Sequence, residues 1–418
     1  MTLHLKQAAA ARSVEACPSA SELPLRAFIR AAGFGGAPAR PCPSTEGVET
    51  LSTKSTVIVG GGLVGLTAAA SLKLIGHEVI VLEQAPQIRA VGAGIGLWAN
   101  ALREFDHLGI GPAIRDMGIE QNTWFFNPAG DPVRAPGYTD SDHQFLLVPR
   151  PELNNLLADT IGRDRIRPDA HVTGYTETGS NVAVHLANGE TLHTDLLIGA
   201  DGVHSHVRRQ LVPGSDAVTH SGHYAWRAIV PTGSQKAEAT VLTVGHRRTR
   251  GGYARIARDR TMWMVNQFDA GPLTGSKRER ALQRARNLAE AGWNDELLSL
   301  IAETPEESIL ENQVTLVPEL PHWTSTRVAL IGDAAHGLSP HIASGGTLGI
   351  EDVGVLRNTL STETDLEKAL STYEHDRSAR FDAVREHSAA VEHASDAAEF
   401  AQRYAAFSHW MLTTAPAT

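Results

Sequence analysis

The stretch that decides the fold is VALIGDAAHGLSPHIASGGTLGIEDV, residues 328–353. Its apolar first residues predict a buried strand that stops at Gly332-Asp333, and a helix is predicted to begin near Gly345 and Gly346. The Asp333 carboxylate would lie at the carboxyl tip of the strand, where open α/β sheets bind ligands. The helix start would offer unpaired N–H groups to the same ligand. The stretch therefore predicts a site for a polyhydroxylated, partly anionic ligand, although an ordinary strand–loop–helix crossover fits it as well.

A second glycine-rich turn follows the apolar, β-branched residues 56–59, which predict another buried strand. Gly60, Gly62 and Gly65 of GGGLVG have the GxGxxG spacing. In this motif the first glycine permits a tight turn, the second lets the backbone approach a pyrophosphate, and the third lets the following helix pack on the strand. A further predicted strand ends at Glu83, about 20 residues beyond the motif, where a carboxylate would accept hydrogen bonds from ribose hydroxyls. The pattern predicts dinucleotide binding, and because an acid at Glu83 disfavours a 2′-phosphate, the candidates are FAD and NAD.

A third strand is predicted in TDLLIGADGVHSHVRRQL, residues 194–211, and it ends at Asp201-Gly202. A simple NAD-dependent dehydrogenase needs neither this strand nor the one before Gly332-Asp333. In this order the three motifs resemble those of the class A FAD-dependent aromatic hydroxylases, the flavoprotein monooxygenases related to p-hydroxybenzoate and salicylate hydroxylases. They correspond to that family's GxGxxG, DG and GD motifs, and the resemblance covers about residues 55–380.

The resemblance implies an α/β fold with a Rossmann-like FAD-binding domain, an interleaved antiparallel β-sheet domain for the substrate, and C-terminal helices. On this basis the FAD-binding domain is assigned residues 55–125, 145–215 and 312–360, the substrate domain residues 126–144 and 216–311, and the C-terminal helical segment residues 361–418. The resemblance also implies a single-component monooxygenase. It would use NADH or NADPH and O2, through a flavin 4a-hydroperoxide, to hydroxylate an electron-rich aromatic or heteroaromatic ring. The sequence has no second GxGxxG, so the nicotinamide nucleotide would bind transiently rather than in a domain of its own.

Cofactor contacts follow from the same resemblance. Glu83 matches the acid that holds the adenosine ribose, Asp333 the aspartate that binds the ribityl chain, and Arg150 an arginine that reaches the flavin. The complete predicted set of FAD-binding residues is Gly60, Gly62, Gly65, Glu83, Arg150, Asp201, Gly202, Asp333, Gly345 and Gly346. One departure is visible, because many members carry GQG-x-N where this chain has ASGGT at residues 343–347. This chain therefore has no asparagine to make the side-chain contact that those members make.

Substrate residues are expected on the predicted strand HSGHYAWRAIV, which starts at His220. Side chains alternate between the faces of a strand, so His223 and Arg227 share one face and Tyr224 lies on the other, and either face could look inward. A histidine suits removal of a phenolic proton near neutral pH, a tyrosine could act in a relay, and an arginine could bind a substrate carboxylate with two hydrogen bonds. Residues that only pack on the sheet surface are the alternative. The predicted catalytic set is His223, Tyr224, Arg227 and Pro340, the last matching a proline whose backbone lies beside the flavin ring.

Composition limits the remaining classes of function. The 418 residues are 42% apolar and carry a formal net charge of −10, which disfavours nucleic acid and anionic membrane surfaces as partners. Both cysteines, Cys17 and Cys42, precede the first predicted strand, and the histidines lack metal-site spacing, so neither a disulfide framework nor a metal site is expected. The expected partners are a small aromatic substrate, O2 and NAD(P)H, bound by a cytoplasmic monomer or homodimer. Residues 1–54, rich in Ala, Pro and Ser, are expected to be a disordered tail or to precede a later true start.

Two alternatives for the function stay open. One is another flavoenzyme on the same fold, such as a halogenase, reductase or epoxidase, although the sequence lacks the W-x-W-x-I-P motif of halogenases of this lineage. The other is a non-catalytic flavin-binding protein. Fold alone does not decide between them, because function resides in the site.

Overall fold

A computed structural model of the protein describes residues 54–88, 94–122, 124–232 and 240–416. The tail predicted at residues 1–54 lies outside these ranges except for Lys54. Within them the chain forms four sheets and eleven α-helices. None of the helices in these ranges is both long enough and apolar enough to cross a membrane.

Strands and helices alternate at the beginning of the described chain, and strands follow one another in its middle. The strands are β1 (Ser55–Val59), β2 (Glu78–Leu82), β3 (Gly94–Leu97), β4 (Ile119–Asn122), β5 (Trp124–Phe126), β6 (Pro132–Val133), β7 (Gln144–Pro149), β8 (Ile166–Arg167), β9 (Val172–Glu177), β10 (Val182–Leu186), β11 (Thr191–Thr194), β12 (Leu196–Gly199), β13 (Val218–Pro231), β14 (Val241–Val244), β15 (Thr249–Ala257), β16 (Arg260–Gln267), β17 (Leu310–Leu316) and β18 (Val328–Leu330). The α-helices are α1 (Leu63–Leu74), α2 (Ala99–His107), α3 (Gly111–Met117), α4 (Arg150–Ile161), α5 (His206–Leu211), α6 (Lys277–Ala285), α7 (Asp295–Glu303), α8 (Asp333–His336), α9 (Gly345–Thr362), α10 (Leu366–Glu392) and α11 (Ala397–Thr413).

Five strands form a parallel sheet in the order β18-β12-β1-β2-β8. Its strands β1, β12 and β18 are largely apolar and buried, as in sheets that helices cover on both faces. The register places the last residues of four neighbouring strands side by side, since Val59 pairs with Leu82 and Gly199, and Gly199 pairs with Leu330. Because these strands run parallel, the motifs that follow them meet at one edge of the sheet. The predicted Rossmann-like architecture is confirmed.

A second, seven-stranded sheet has the order β17-β13-β16-β15-β14-β5-β6. All neighbouring pairs are antiparallel except β14 with β5, so the predicted antiparallel sheet is confirmed with one parallel pair. One face of this sheet packs on α6 and α7 through Trp226, Trp263 and their apolar neighbours. This sheet also includes β5 and β17. The predicted domain bounds place most residues of these two strands in the FAD-binding domain rather than in the substrate domain. The division into domains stays a prediction.

Buried charges on α9 and α10 hold the end of β18. Arg377 donates to Oδ1 of Asp352 at 2.7 Å, while Oδ2 of Asp352 accepts from the Gly332 N–H at 2.8 Å. The same oxygen lies 2.6 Å from Nε2 of His336. Burial alone would raise the pKa of Asp352, but His336 and Arg377 outweigh burial and lower this pKa to about 2. The network therefore fixes the turn from which Asp333 projects.

Candidate active site

A cavity of about 470 Å³ opens where the parallel strands end. Nine of the ten residues predicted to bind FAD line it, and the tenth, Gly65, packs behind the turn. The nine are Gly60, Gly62, Glu83, Arg150, Asp201, Gly202, Asp333, Gly345 and Gly346. The parallel register brings together the residues that follow four strands of the sheet, and Arg150 at the start of α4 joins them.

The three glycines of the first turn differ in what a side chain would meet. Gly60 has a φ of +110°, and a Cβ there would lie 2.3 Å from the Ala200 carbonyl oxygen. A Cβ at Gly65 would lie 2.0 Å from the Gly60 carbonyl oxygen, so α1 can approach β1 this closely only with glycine. A Cβ at Gly62 would meet no described atom within 4 Å. Gly60 and Gly65 thus build the turn, whereas Gly62 leaves open space for a bound group, as the approach of a pyrophosphate requires.

The three predicted acids are placed differently in this cavity. Glu83 accepts hydrogen bonds from two backbone N–H groups, each at 2.8 Å, which fix its carboxylate at the wall with lone pairs to spare. Both oxygens of Asp201 are engaged within its own loop, by the Ser205 hydroxyl and by the first N–H groups of α5. Asp333 lines the cavity, and its carboxylate has no hydrogen-bond partner in the described chain. Glu83 and Asp333 therefore offer acceptors to a ligand, and Asp201 shapes the loop.

Two helices begin at this cavity without a side-chain cap, α1 after Gly62 and α9 after Ser344. Uncapped helix starts leave N–H groups unpaired and attract negative charge. The Ser344 hydroxyl is buried and has no hydrogen-bond partner among the described residues. These groups fit a flavin dinucleotide: the start of α1 suits its pyrophosphate, Asp333 its polyol chain, and the start of α9 its ring.

A second cavity, of about 320 Å³, adjoins the first. Both are lined by Ile95, Asp333, Gly345 and Gly346, so they meet where the flavin ring is expected. Residues of β14, β15 and β16, the loop before α9, and helix α11 form the walls of the second cavity. Its apolar side chains include Phe125, Phe145, Leu242, Met264, Phe400 and Tyr404.

Arg250 on β15 brings an unpaired positive charge to the second cavity. The residue is 6% exposed, and its guanidinium lies 4.7 Å from the ring centre of Phe268 and 4.4 Å from that of Phe400. Nη2 donates to the Glu392 carbonyl at 2.9 Å, whereas Nε and Nη1 are buried without a partner in the described chain. Burial, with Arg248 nearby, lowers the pKa of Arg250, but a guanidinium stays protonated at neutral pH. A buried, unpaired cation is unfavourable, so this site favours an anion in the cavity.

The alternation of side chains on β13 separates the two predicted faces. Arg227 lines the second cavity and donates to the Asn312 amide oxygen at 2.8 Å. Tyr224 does not line it, and its ring stacks on Trp226, with ring centres 6.1 Å apart, beside the core of α6 and α7. Tyr224 therefore packs on the side of β13 that faces α6 and α7, and its catalytic role stays a prediction.

His223, the predicted base, is fully buried and does not line the cavity, whereas His341 does. Nε2 of His341 donates to the Ser388 carbonyl at 3.0 Å, so its Nδ1 accepts the Ser339 hydroxyl hydrogen at 2.7 Å. The Ser339 oxygen then accepts from Nδ1 of His223 at 3.1 Å. Burial lowers the pKa of each histidine to about 3, so both rings are neutral at physiological pH. His223 thus lies behind the residues that line the cavity, and its role as the base stays a prediction.

The loop before α9 contains Pro340 and leads into ASGGT, residues 343–347, where the chain departs from the family pattern. Pro340 lines the second cavity, as predicted for a residue beside the flavin ring. Ala343, where many members have glycine, adopts a φ of +50° in the left-handed region. Thr347, where they have asparagine, lines neither cavity and accepts a hydrogen bond from the Trp98 N–H at 3.2 Å. The asparagine contact is therefore not replaced by Thr347.

Sequence reasoning misses two groups that line the second cavity. Arg250 stands in HRRTRGG beside other arginines, and only the fold distinguishes the buried one. Helix α11, which the sequence analysis assigns to the C-terminal helical segment without a role in the site, contributes Phe400 and Tyr404. The spacing of Phe400, Tyr404 and Phe407 on one helical face is the signal that could have marked α11 as facing the interior.

Comparison with known proteins agrees with this geometry. Residues 53–388 match the family model described as FAD binding domain. The chain is 29% identical over 327 residues to aurachin C monooxygenase/isomerase of Stigmatella aurantiaca, an alignment that covers 77% of this chain and 84% of the relative. It is 29% identical over 347 residues to 6-hydroxynicotinate 3-monooxygenase of Pseudomonas fluorescens, covering 78% of this chain and 88% of the relative.

Solved structures share the fold. Klebsiella pneumoniae HpxO, crystallised with FAD and uric acid, superposes with a TM-score of 0.71 and 24% identity, covering 85% of this chain and 92% of that one. The predicted resemblance to flavoprotein aromatic hydroxylases is confirmed, as is FAD as the cofactor. By the match over residues 53–388, the chain belongs to the FAD binding domain family.

Proposed function

We propose that this protein is a single-component, FAD-dependent monooxygenase that uses NADH or NADPH and O2 to hydroxylate a small electron-rich aromatic or heteroaromatic acid. The observation that carries the proposal is the junction of the two cavities at Asp333, Gly345 and Gly346. One cavity fits a flavin dinucleotide. The other offers apolar walls together with the half-buried Arg227 and the buried Arg250. The relative named for its action on 6-hydroxynicotinate supports the same class of reaction.

The cofactor and the protein divide the chemistry. Bound FAD supplies the reduction of O2 at the expense of NAD(P)H and delivers an electrophilic oxygen. The protein holds the flavin through the predicted cofactor set, with Asp333 on the polyol chain and Pro340 beside the ring. The apolar walls from the seven-stranded sheet and α11 keep water away from the reacting oxygen, which limits its loss as H₂O₂.

Arg250 and Arg227 are proposed to activate the substrate through their charge. Among the described lining residues of the second cavity, Asp333 is the only carboxylate, and both ring nitrogens of His341 are engaged. This part of the wall therefore presents no free general base to a substrate. Cations near a phenol or a hydroxy-heteroaromatic favour its ionised form, which is the more electron-rich one. Arg227 and Arg250 would thus activate the substrate ring, the role that the sequence predicts for His223.

Two further properties are proposed from the sequence. We place the protein in the cytoplasm as a monomer or homodimer, and we expect neither nucleic acid nor a membrane as a partner. The net charge of −10 supports the second statement, because polyanions and anionic lipid surfaces repel such a chain.

The substrate assignment is tested by replacing Arg250 with glutamine. We expect Arg250→Gln to raise the Kd of a carboxylated ligand such as 6-hydroxynicotinate by about 10- to 100-fold, the range for a lost hydrogen bond to a charged group. Its Kd for FAD should not change, because Arg250 does not line the first cavity. Ligand binding is measured from the change in flavin absorbance. Arg258→Gln, in the exposed turn after β15, controls for the loss of one charge, and equal Kd values for the two variants would contradict the assignment.

The reaction is tested by screening NAD(P)H oxidation against hydroxylated aromatic and heteroaromatic acids. We expect at least one of them to stimulate oxidation and to yield a product heavier by one oxygen. Stimulation that produces H₂O₂ without any hydroxylated product would count against the proposal. Firm FAD binding without stimulation by any compound would favour the reductase or non-catalytic alternatives.

A further inference from the structure

The C-terminal helix contributes side chains to the second cavity. Phe400 and Tyr404 stand one turn apart on α11, and both line the cavity. The match to the FAD binding domain ends at residue 388, whereas α11 begins at Ala397. This wall is therefore built by a part of the chain that lies beyond the family match.

Several contacts hold α11 in place. Arg403 donates to the Ala390 carbonyl at 2.8 Å and so ties α11 to the end of α10. The ring of Phe125, from β5, meets Phe400 and Tyr404 edge-on, with ring centres 5.0 Å and 5.1 Å away. The two aromatic side chains are thus fixed against the seven-stranded sheet before a substrate arrives.

Phe400 supports the buried cation of the second cavity. The guanidinium of Arg250 lies 4.4 Å from the Phe400 ring centre, within the range of a cation–π interaction. Phe268 lies on the guanidinium as well, at 4.7 Å. The two rings restrict the side chain of Arg250, so its positive charge has a fixed position beside the cavity.

Tyr404 carries a hydroxyl that no described residue engages. The residue is 4% exposed, and its hydroxyl has no hydrogen-bond partner among the described residues. Burial raises the pKa of Tyr404, so the phenol remains a donor at physiological pH. Because Tyr404 lines the cavity, this donor is available to an acceptor on a bound ligand.

We propose that Phe400 and Tyr404 of α11 form the part of the substrate site that selects the ring. Phe400 packs against the aromatic ring, and Tyr404 donates a hydrogen bond to a hydroxyl or oxo oxygen on it, while the acid group binds Arg250. The ligand class is a small planar aromatic or heteroaromatic acid that carries at least one ring oxygen substituent. This inference rests on the proposed function and refines its substrate.

The test compares ligands with and without a ring oxygen. In the FAD-loaded protein, Tyr404→Phe is expected to raise the Kd of 3-hydroxybenzoate and 6-hydroxynicotinate by about 2- to 10-fold, the range for one hydrogen bond. The Kd of benzoate, which has no ring oxygen for Tyr404 to meet, should stay the same. Phe400→Leu is expected to weaken all three ligands, because it removes the ring contact and the support of Arg250. Binding is read from flavin absorbance.

Trp410→Phe is the matched control, since Trp410 lies on the same helix and lines neither cavity. It should leave all three Kd values unchanged. An equal loss for benzoate in Tyr404→Phe would mean that Tyr404 only stabilises the helix, and no loss for any ligand would mean that its hydroxyl faces no substrate. Either result overturns the inference while the proposed function stands. If none of the three acids perturbs the flavin in the unmodified protein, the proposed function fails and the inference fails with it.

Discussion

Single charged residues of this protein fall into two groups, those with partners and those without. Asp352 and Arg377 pair with each other in the interior and hold the fold. Asp333 and Arg250 line the cavities: the Asp333 carboxylate is exposed there, and two nitrogens of the buried Arg250 guanidinium have no partner in the described chain. Folded proteins rarely leave buried polar groups without a protein or water partner. Asp333 and Arg250 are therefore available to a ligand, whereas the Asp352–Arg377 pair supports the site.

Asp333→Ala is expected to weaken FAD binding by about 10- to 100-fold, because it removes the carboxylate available to the polyol chain. The Kd follows from the quenching of FAD fluorescence during titration. Asp201→Ala is the comparison, since its carboxylate is engaged by its own loop and α5. That variant should lose about 1 kcal/mol of stability and much less FAD affinity. Wild-type FAD affinity in Asp333→Ala would contradict the role assigned to this acid.

At the scale of elements, the cofactor site consists of strand ends and helix starts. Strands β1, β2, β12 and β18 end in register, so Gly60, Glu83, Asp201 and Asp333 reach one cavity. The sequence suffices to predict this arrangement, because each motif is local and parallel pairing aligns their ends. In the first turn, Gly60 and Gly65 are needed to build the turn, whereas Gly62 leaves room for the ligand.

Two alanine substitutions test that separation. Gly65→Ala is expected to destabilise the FAD-free protein by at least about 1–3 kcal/mol, because its Cβ would lie 2.0 Å from the Gly60 carbonyl oxygen. Gly62→Ala should leave the melting temperature of the FAD-free protein nearly unchanged, because its Cβ meets no described atom within 4 Å. It should nevertheless raise the Kd for FAD about tenfold or more. Thermal unfolding and FAD titration of both variants give the answer, and unimpaired FAD binding by Gly62→Ala would show that no pyrophosphate occupies this space.

The second cavity could be predicted from the sequence only in part, because its lining depends on contacts between distant elements. The alternation along β13 predicts which side chains share a face, but the inward face depends on helices α6 and α7, which cover the other one. The environment of Arg250 is assembled from β15, Phe268 after β16, Glu392 at the end of α10, and Phe400 on α11. No local pattern reports contacts among four elements so far apart in sequence. For the same reason the buried position of His223 and the packing of Tyr224 beside α6 and α7 are visible only in the fold.

At the scale of the whole molecule, the described part of the chain keeps His77, His223 and His341 uncharged at physiological pH. Burial lowers the pKa of His77 from 6.5 to about 4, and it lowers those of His223 and His341 to about 3. In the unfolded chain these groups regain ordinary pKa values near 6.5. Below that pH the unfolded chain binds more protons than the folded protein, so stability is lost as the pH falls.

We therefore expect the free energy of unfolding to decrease between pH 6.5 and pH 5. Each of the three histidines can contribute up to about 1.4 kcal/mol per pH unit. Urea unfolding at pH 7, 6 and 5 with saturating FAD measures the slope. His77→Gln should reduce the slope by about one histidine's share, and a free energy that stays constant from pH 7 to pH 5 would contradict the burial of neutral rings.

The most direct test of the whole enzyme is to follow the oxygen atom. FAD-loaded protein is supplied with NAD(P)H, ¹⁸O₂ and a panel of hydroxylated aromatic and heteroaromatic acids, and the products are analysed by mass spectrometry. If the protein is a flavoprotein monooxygenase whose second cavity binds the acid, we expect the substrate to stimulate NAD(P)H oxidation and the product to contain one ¹⁸O atom. Both should be diminished in Arg250→Gln. Oxidation that no acid stimulates, or a product whose new oxygen comes from water, would contradict this assignment.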